Sequence, residues 1–273
     1  NLFFFTTGIF GVGVLMSLDP VVAQAVGAGD KEEAARGVQR GLILSFFLAG
    51  LTSLALLPAG VVFRAAGQPT EVVPIAVGYA LASIPGTPPF FLFIVFRQSL
   101  QAMGRVAPIL WTALAGNVMN FALNWVLISG NLGVPRLGAV GSSWATSISR
   151  WFLVAAVLVV AWPLLRPVLL PWRSRVSRLR PLARMLLLGV PIGLQYQLEW
   201  GAFAVIGLLM GLLGTEEMAG HQIALNLASF AFMVPVGIGA AASVRIGQEV
   251  GRGDPGSARR AGGGALAIGL AFM

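Results

Sequence analysis

The sequence predicts an all-α polytopic membrane protein, and three observations carry that prediction. The chain is 57% hydrophobic and only 10% charged, with mean hydropathy +0.85. A soluble domain carries about 25% charged residues, so a bilayer is the natural solvent here. The apolar residues also fall in runs long enough to cross a hydrocarbon core of about 30 Å. The basic residues, finally, gather in the short stretches between those runs and on one side only.

The segments read in order at roughly 1–26, 38–63, 72–98, 107–129, 138–165, 185–213 and 219–247, with an eighth starting near 261. Backbone polar groups in lipid must bond within their own segment, so each is expected to be helical. The first contains Asp19-Pro20 near its later end, where a local turn is as good a reading as a site. The third holds Pro85, Pro88 and Pro89, the sixth Pro191 and the seventh Pro235, residues that a membrane bundle tolerates as kinks. The eighth run, Gly262 to Met273, is shorter than the ~20 residues a crossing needs. The chain is therefore read as an internal fragment of a longer protein, with no signal peptide.

Loop charge sets the orientation. Of the 18 basic residues, 15 lie at the ends of segments on one side, against Arg64 and Arg136 on the other, with Arg150 left inside a span. By the positive-inside rule the loops 27–37, 99–106, 166–184 and 248–260 are cytoplasmic, and 64–71, 130–137 and 214–218 external. The net charge of +8 thus reflects topology and not nucleic-acid binding. There is no cysteine and a single histidine, His221, so neither a disulfide framework nor a metal cluster is available. At the external start of the seventh segment, His221 reads as a packing or hydrogen-bonding residue.

A repeat divides the chain. Gln24-Ala25-Val26-Gly27-Ala28-Gly29-Asp30 with Ala34 and Arg36 recurs 224 residues later as Gln248-Glu249-Val250-Gly251-Arg252-Gly253-Asp254 with Ala258 and Arg260. Nine of the 25 positions from Val12 to Arg36 are identical. The copies close the first and seventh segments, so the repeating unit has six spans. An even number returns the chain to the same side, which predicts parallel halves related by an axis along the membrane normal. The domain reading is an N-terminal lobe over 1–165, a basic cytoplasmic linker over 166–184, and the start of a truncated C-terminal lobe over 185–273.

A few polar residues inside the spans are candidates for chemistry. Glu199 is foremost, because a carboxylate at mid-span is costly and usually faces a cavity that handles protons or ions. Desolvation favours its neutral form, which suits a proton carrier. Gln195 is one turn away on the same helix face, with Gln197 between them. Asn117, Asn120 and Asn124 share one face of the fourth segment and serve either as a polar cavity wall or as interhelical glue. Arg150 reads first as an ion-paired or carbonyl-bonded residue of the bundle. The seven tryptophans and 17 phenylalanines offer faces for aromatic cations but are mostly core or lipid contacts. No phosphate loop, zinc motif or nucleophile elbow occurs.

The sequence resembles the multidrug and toxic compound extrusion family, in its bacterial Na⁺- or H⁺-coupled branch. The resemblance runs the length of the chain and rests on Val21–Asp30, Arg97–Gly104, Leu137–Thr146, Gly189–Gly193 leading to Glu199, Ala219–Ala224 and Ala242–Gln248, in order and at family spacing. It implies twelve spans in two lobes around a V-shaped cavity, of which this chain holds the second to eighth and part of the ninth. Glu199 matches the membrane-embedded glutamate that helps bind the coupling cation, which makes it a candidate Na⁺ ligand. Asn120 and Asn124 match a polar pair of the N-terminal lobe. Some relatives have aspartate where this chain has Asn124, a departure that weakens an N-lobe proton site. The implied activity is alternating-access export of cationic or aromatic drugs and xenobiotics in exchange for Na⁺ or H⁺. It implies no cofactor beyond that ion, contact with membrane lipids, no nucleic acid, a monomer, and the bacterial inner membrane as location.

Other readings are weaker. A lipid-linked oligosaccharide flippase of the same superfamily needs a basic cavity for phosphates, and Arg150 is the single interior base. A major-facilitator carrier lacks its loop motif here. An integral-membrane enzyme lacks paired carboxylates, and a channel would show no uphill movement.

Overall fold

Helix satisfies nearly all of the backbone, as a bilayer demands. The computed structural model describes residues 2–65, 67 and 69–272. Asn1, Ala66, Gln68 and Met273, at the ends of the first and eighth predicted segments and within the 64–71 loop, lie outside the described residues. Among the described residues there are α-helices and short 3₁₀ turns but no strand.

The first predicted span is two helices, α1 (Leu2–Leu15) and α2 (Leu18–Gly27). The break has a chemical cause. Pro20 has no N–H to give the Met16 carbonyl four residues back, and that oxygen instead accepts the Asp19 amide at 3.1 Å. The second span is α3 (Lys31–Leu56) followed by the short α4 (Ala59–Ala65), interrupted at Leu57-Pro58. The third is α5 (Val73–Ser83) and α6 (Thr87–Ala102), joined by a 3₁₀ turn at Ile84–Gly86. Pro88 and Pro89 cannot donate to Ile84 and Pro85, so those carbonyls find side chains: Thr87 Oγ1 donates to Ile84 O at 2.9 Å and Trp151 Nε1 to Pro85 O at 3.0 Å. The breaks at Asp19-Pro20 and at Pro85 to Pro89 agree with the turn and the kinks the sequence allows, and the one at Pro58 adds to them.

The fourth span is α7 (Ala107–Ser129), ending on Gly130, and the fifth is α8 (Gly138–Val160) with α9 (Trp162–Leu169) beyond it. The sixth is α10 (Leu179–Leu213), the seventh α11 (Thr215–Gly251), and α12 (Pro255–Phe272) closes the described chain. Five stretches are both long and apolar enough to cross a membrane: Phe3–Gly27, Lys31–Leu56, Val73–Ala102, Gly138–Val160 and Glu216–Gly251. α7 and α10, with 23 and 35 residues, have the length but carry the asparagines, glutamines and Glu199. The helices also run past the apolar segments, so the predicted loops shrink. α3 begins at Lys31, and the stretch 166–184 is helical at both ends.

The repeat is a repeated corner. Gly29 and Gly253 take φ of +72° and +75°, a left-handed conformation that glycine adopts at little cost. Asp30 N donates to Ala25 O at 2.9 Å and Asp254 N to Glu249 O at 3.0 Å, a matching helix-end bond in each copy. Each aspartate then caps the next helix, Asp30 accepting from Glu33 N and Asp254 from Ser257 N, both at 2.9 Å.

The two copies also touch. A Cβ on Gly27 would lie 1.9 Å from the Gln248 carbonyl oxygen, and one on Gly251 would lie 2.0 Å from that of Gln24. Under the 224-residue offset these two contacts are the same contact seen from each side. Ala23 faces its own equivalent Gly247, where an added Cβ would stand 2.9 Å from the alanine's. Small residues four apart on both helices let α2 and α11 cross backbone to backbone. Farther along, α1 meets α10 where Gly13 faces Gly193.

Candidate cation and substrate site

α10 carries Glu199 in a continuous helix, although Pro191 interrupts the bonding two turns earlier. Its side chain is exposed on the described surface, and it makes no hydrogen bond or ion pair among the described residues. Gln195, one turn before, is likewise exposed. Tyr196 lies one turn before Glu199 and feels its charge, together with those of Asp19 and Arg97 from the other side of the α1–α10 contact. Trp200, the next residue on, donates to Thr6 Oγ1 at 3.3 Å and stacks near Phe5. No group of three or more His, Cys, Asp or Glu able to hold a metal ion occurs among the described residues. Any Na⁺ at Glu199 would have to complete its shell with other oxygens.

The asparagines form a ladder. Asn124 Nδ2 donates to both the backbone oxygen and Oδ1 of Asn120 at 2.9 Å, and Asn120 Nδ2 reaches Ser149 Oγ on α8 at 3.3 Å. Asn124 Oδ1 is buried without a partner, an acceptor left over. Asn117 is exposed and outside this ladder. The structure therefore joins Asn120 and Asn124 to each other and to α8.

Arg150 goes elsewhere. Its guanidinium lies 4.1 Å from the Phe4 ring centre and 4.7 Å from that of Phe90, and Nη1 donates to Gly86 O at 3.3 Å. It joins Trp151 and Ser147, which donates to Ala82 O at 2.8 Å, in satisfying the carbonyls freed at the α5–α6 break. Neither the asparagine ladder nor Glu199 is bonded to it.

Two other polar groups stand apart from these, one around Asp19, which the sequence left open between a turn and a site, and one around Gln39, which it did not single out. Asp19 is 6% exposed and accepts from Gln98 Nε2 at 3.3 Å, the glutamine being 1% exposed. Gln39 is fully buried. Its Nε2 donates to the carbonyls of Val168, Leu169 and Pro171 at 3.0–3.1 Å, and its Oε1 accepts from Arg173 N at 2.8 Å. Neither Gln39, beside Arg40, nor Gln98, beside Arg97, stands out in the sequence. A cleft of about 830 Å³ opens between α2, α3 and the start of α10, lined among others by Pro20, Gln24, Arg40, Arg180 and Arg184.

Comparison with known proteins places this geometry. A family profile described as MatE matches residues 1–126 and 191–273. The chain belongs to the MatE family. Curated relatives of this family member include "Probable multidrug resistance protein NorM" of Bradyrhizobium diazoefficiens, 36% identical over 285 residues that cover 99% of this chain and 58% of the relative. "Multidrug resistance protein NorM" of Vibrio cholerae is 34% identical over 265 residues, covering 96% and 58%. The chain thus spans under two thirds of the length of these relatives. Among solved structures, the eukaryotic MATE transporter AtDTX14 superposes with a TM-score of 0.83 at 23% identity, over 96% of this chain and 58% of that one. A MATE in complex with MaD5 gives the same TM-score and identity, over 99% and 62%. The fold is that of the MATE transporters, and the helices crossing the membrane are those of that fold.

Proposed function

We propose that the whole protein is a secondary active antiporter that exports cationic or aromatic drugs in exchange for Na⁺ or H⁺. The observation that carries this reading is the state of Glu199. A structural intramembrane glutamate would be tied to a neighbouring helix, because leaving a charge unpaired at that depth costs about 3 kcal/mol. Among the described residues Glu199 has no such tie, and this reading gives its carboxylate to the coupling cation. Arg150, by contrast, is committed to two aromatic faces and a backbone carbonyl. An intramembrane acid and a committed base suit cationic cargo better than the phosphates of a lipid-linked sugar. Membership of a family with multidrug-resistance relatives supports the same choice.

The α2–α11 crossing closes the two lobes on the side read here as cytoplasmic, together with the stretches 27–37, 99–106, 166–184 and 248–260. Alternating access would part that crossing and open the opposite side. Coupling requires only that the ion and the drug prefer different states. The protein acts in this reading as a monomer in the bacterial inner membrane.

Equilibrium binding tests the ion side. A fluorescent cationic dye bound to the purified whole protein should be displaced by added Na⁺ or by acid. Glu199→Gln should weaken that displacement at least tenfold, about 1.4 kcal/mol. Displacement unchanged by the substitution contradicts the role given to Glu199.

A further inference from the structure

We propose that Asp19 is a proton-binding site at the break between α1 and α2, held by Gln98. Four observations carry it. Asp19 is 94% buried by its 6% exposure. One carboxylate oxygen, Oδ2, accepts from Gln98 Nε2 at 3.3 Å, while the other, Oδ1, is buried with no hydrogen-bond partner among the described residues. Leu18 and Val22 beside it, and Val95 beside Gln98, are fully buried core residues, so the surroundings are apolar. Lastly, the acid sits in the first turn of a ten-residue helix that starts within the span, where backbone groups are freed from the ladder.

A buried carboxylate with one unsatisfied oxygen is an expensive group to keep charged. A proton on Oδ1 removes that cost, and a metal ion does not. Na⁺ needs several oxygen ligands, and here the neighbours are an amide donor and a cation. Arg97, on α6, is the charged group that acts on Asp19, and its Nε is itself buried without a partner. From α10, Tyr196 faces the pair and couples to both, and to Glu199 beyond. The charged residues of α3 and α11 nearest the lobe contact are engaged elsewhere: Arg36 and Arg40 with Glu33, Arg245 and Arg252 with Glu249. The step is a simple one, in which the carboxylate takes a proton from water on one side and returns it to water on the other. The 830 Å³ cleft reaches Pro20, the residue next to Asp19, and so brings solvent close from the side read as cytoplasmic. The arrangement gives the N-terminal lobe an acid of its own. Any part it takes in transport rests on the antiporter reading; the protonation does not.

Infrared difference spectroscopy of the whole purified protein, acid minus neutral, tests the site directly. A protonated-carboxyl C=O band is expected in the wild type, lost in Asp19→Asn and kept in Glu199→Gln. Gln98→Leu, which leaves the acid in place, should move the midpoint of that band to higher pH, because it removes the donor to the charged form. This second variant decides the matter if Asp19→Asn does not fold. A band of wild-type size in Asp19→Asn, no such band in the wild type, or an unmoved midpoint in Gln98→Leu overturns the proposal. In the same preparations, Asp19→Asn should shift the pH profile of dye uptake. Absence of dye uptake in the wild type would sink the antiporter reading while leaving the infrared result intact.

Discussion

Gln39 serves four backbone groups at the residue scale, pinning the stretch after α9 onto α3. Gln39→Leu keeps the volume but strands three carbonyls, and an unsatisfied buried group costs about 1–3 kcal/mol. The expected outcome is a lower thermal midpoint and faster proteolysis within 170–178, with the α7–α8 ladder unaffected. Asp254 gives a pH prediction. Hydrogen bonds from the Ser257 hydroxyl and then its amide hold the Asp254 carboxyl below the usual aspartate range. A folded pKa below the unfolded one means the cap contributes fully above about pH 4, and the contribution is lost as pH falls through the depressed value. Amide exchange at Ser257 should therefore stay slow in the wild type until strongly acid pH and be fast at all pH in Asp254→Ala. The residues that carry chemistry were legible as types. Glu199 stands out in an apolar run, and the asparagines share a face. Their partners were not legible, because the sequence does not say which helix lies opposite. Arg150 turns to Phe4, Phe90 and Gly86, 60 to 146 positions away, and Asp19, read equally as a turn or a site, bonds to Gln98 of α6.

Among the elements, the α2–α11 crossing makes the sharpest demand on side-chain size. Gly27→Val or Gly251→Val puts atoms where the Gln248 and Gln24 carbonyls stand, so the helices must move apart. The chain has no cysteine, and the pair Ala23→Cys with Gly247→Cys should cross-link on oxidation. Adding Gly27→Val should cut the yield several-fold, whereas an unchanged yield would show that the two helices do not meet there. Helix identity was readable from the length of each apolar run. The breaks were only half readable. Pro58 and Pro85 mark theirs, but the α1–α2 break falls before Pro20, and proline acts on the carbonyl four residues upstream. α6 and α11 run about four residues past the apolar segments that end near 98 and 247, because polar residues at a bilayer surface continue the same helix.

At the scale of the whole molecule, one sequence repeat accounts for both sides of the α2–α11 contact. The same glycine-aspartate corner ends α2 and α11, and those two helices meet through equivalent residues. The equivalence followed from the 224-residue offset; the contact did not. How far the halves lean on one another along α1 and α10 did not follow, because Gly13 belongs to the repeat but Gly193, which it faces, does not. The most direct test uses the whole protein in inverted membrane vesicles, with uptake of a fluorescent cationic dye followed under an imposed Na⁺ gradient and then a H⁺ gradient. The account predicts gradient-driven uptake in the wild type, abolished in correctly inserted Glu199→Gln. Equal uptake by both proteins would contradict it, and no uptake of any dye by inserted wild type would move the assignment to the flippase branch.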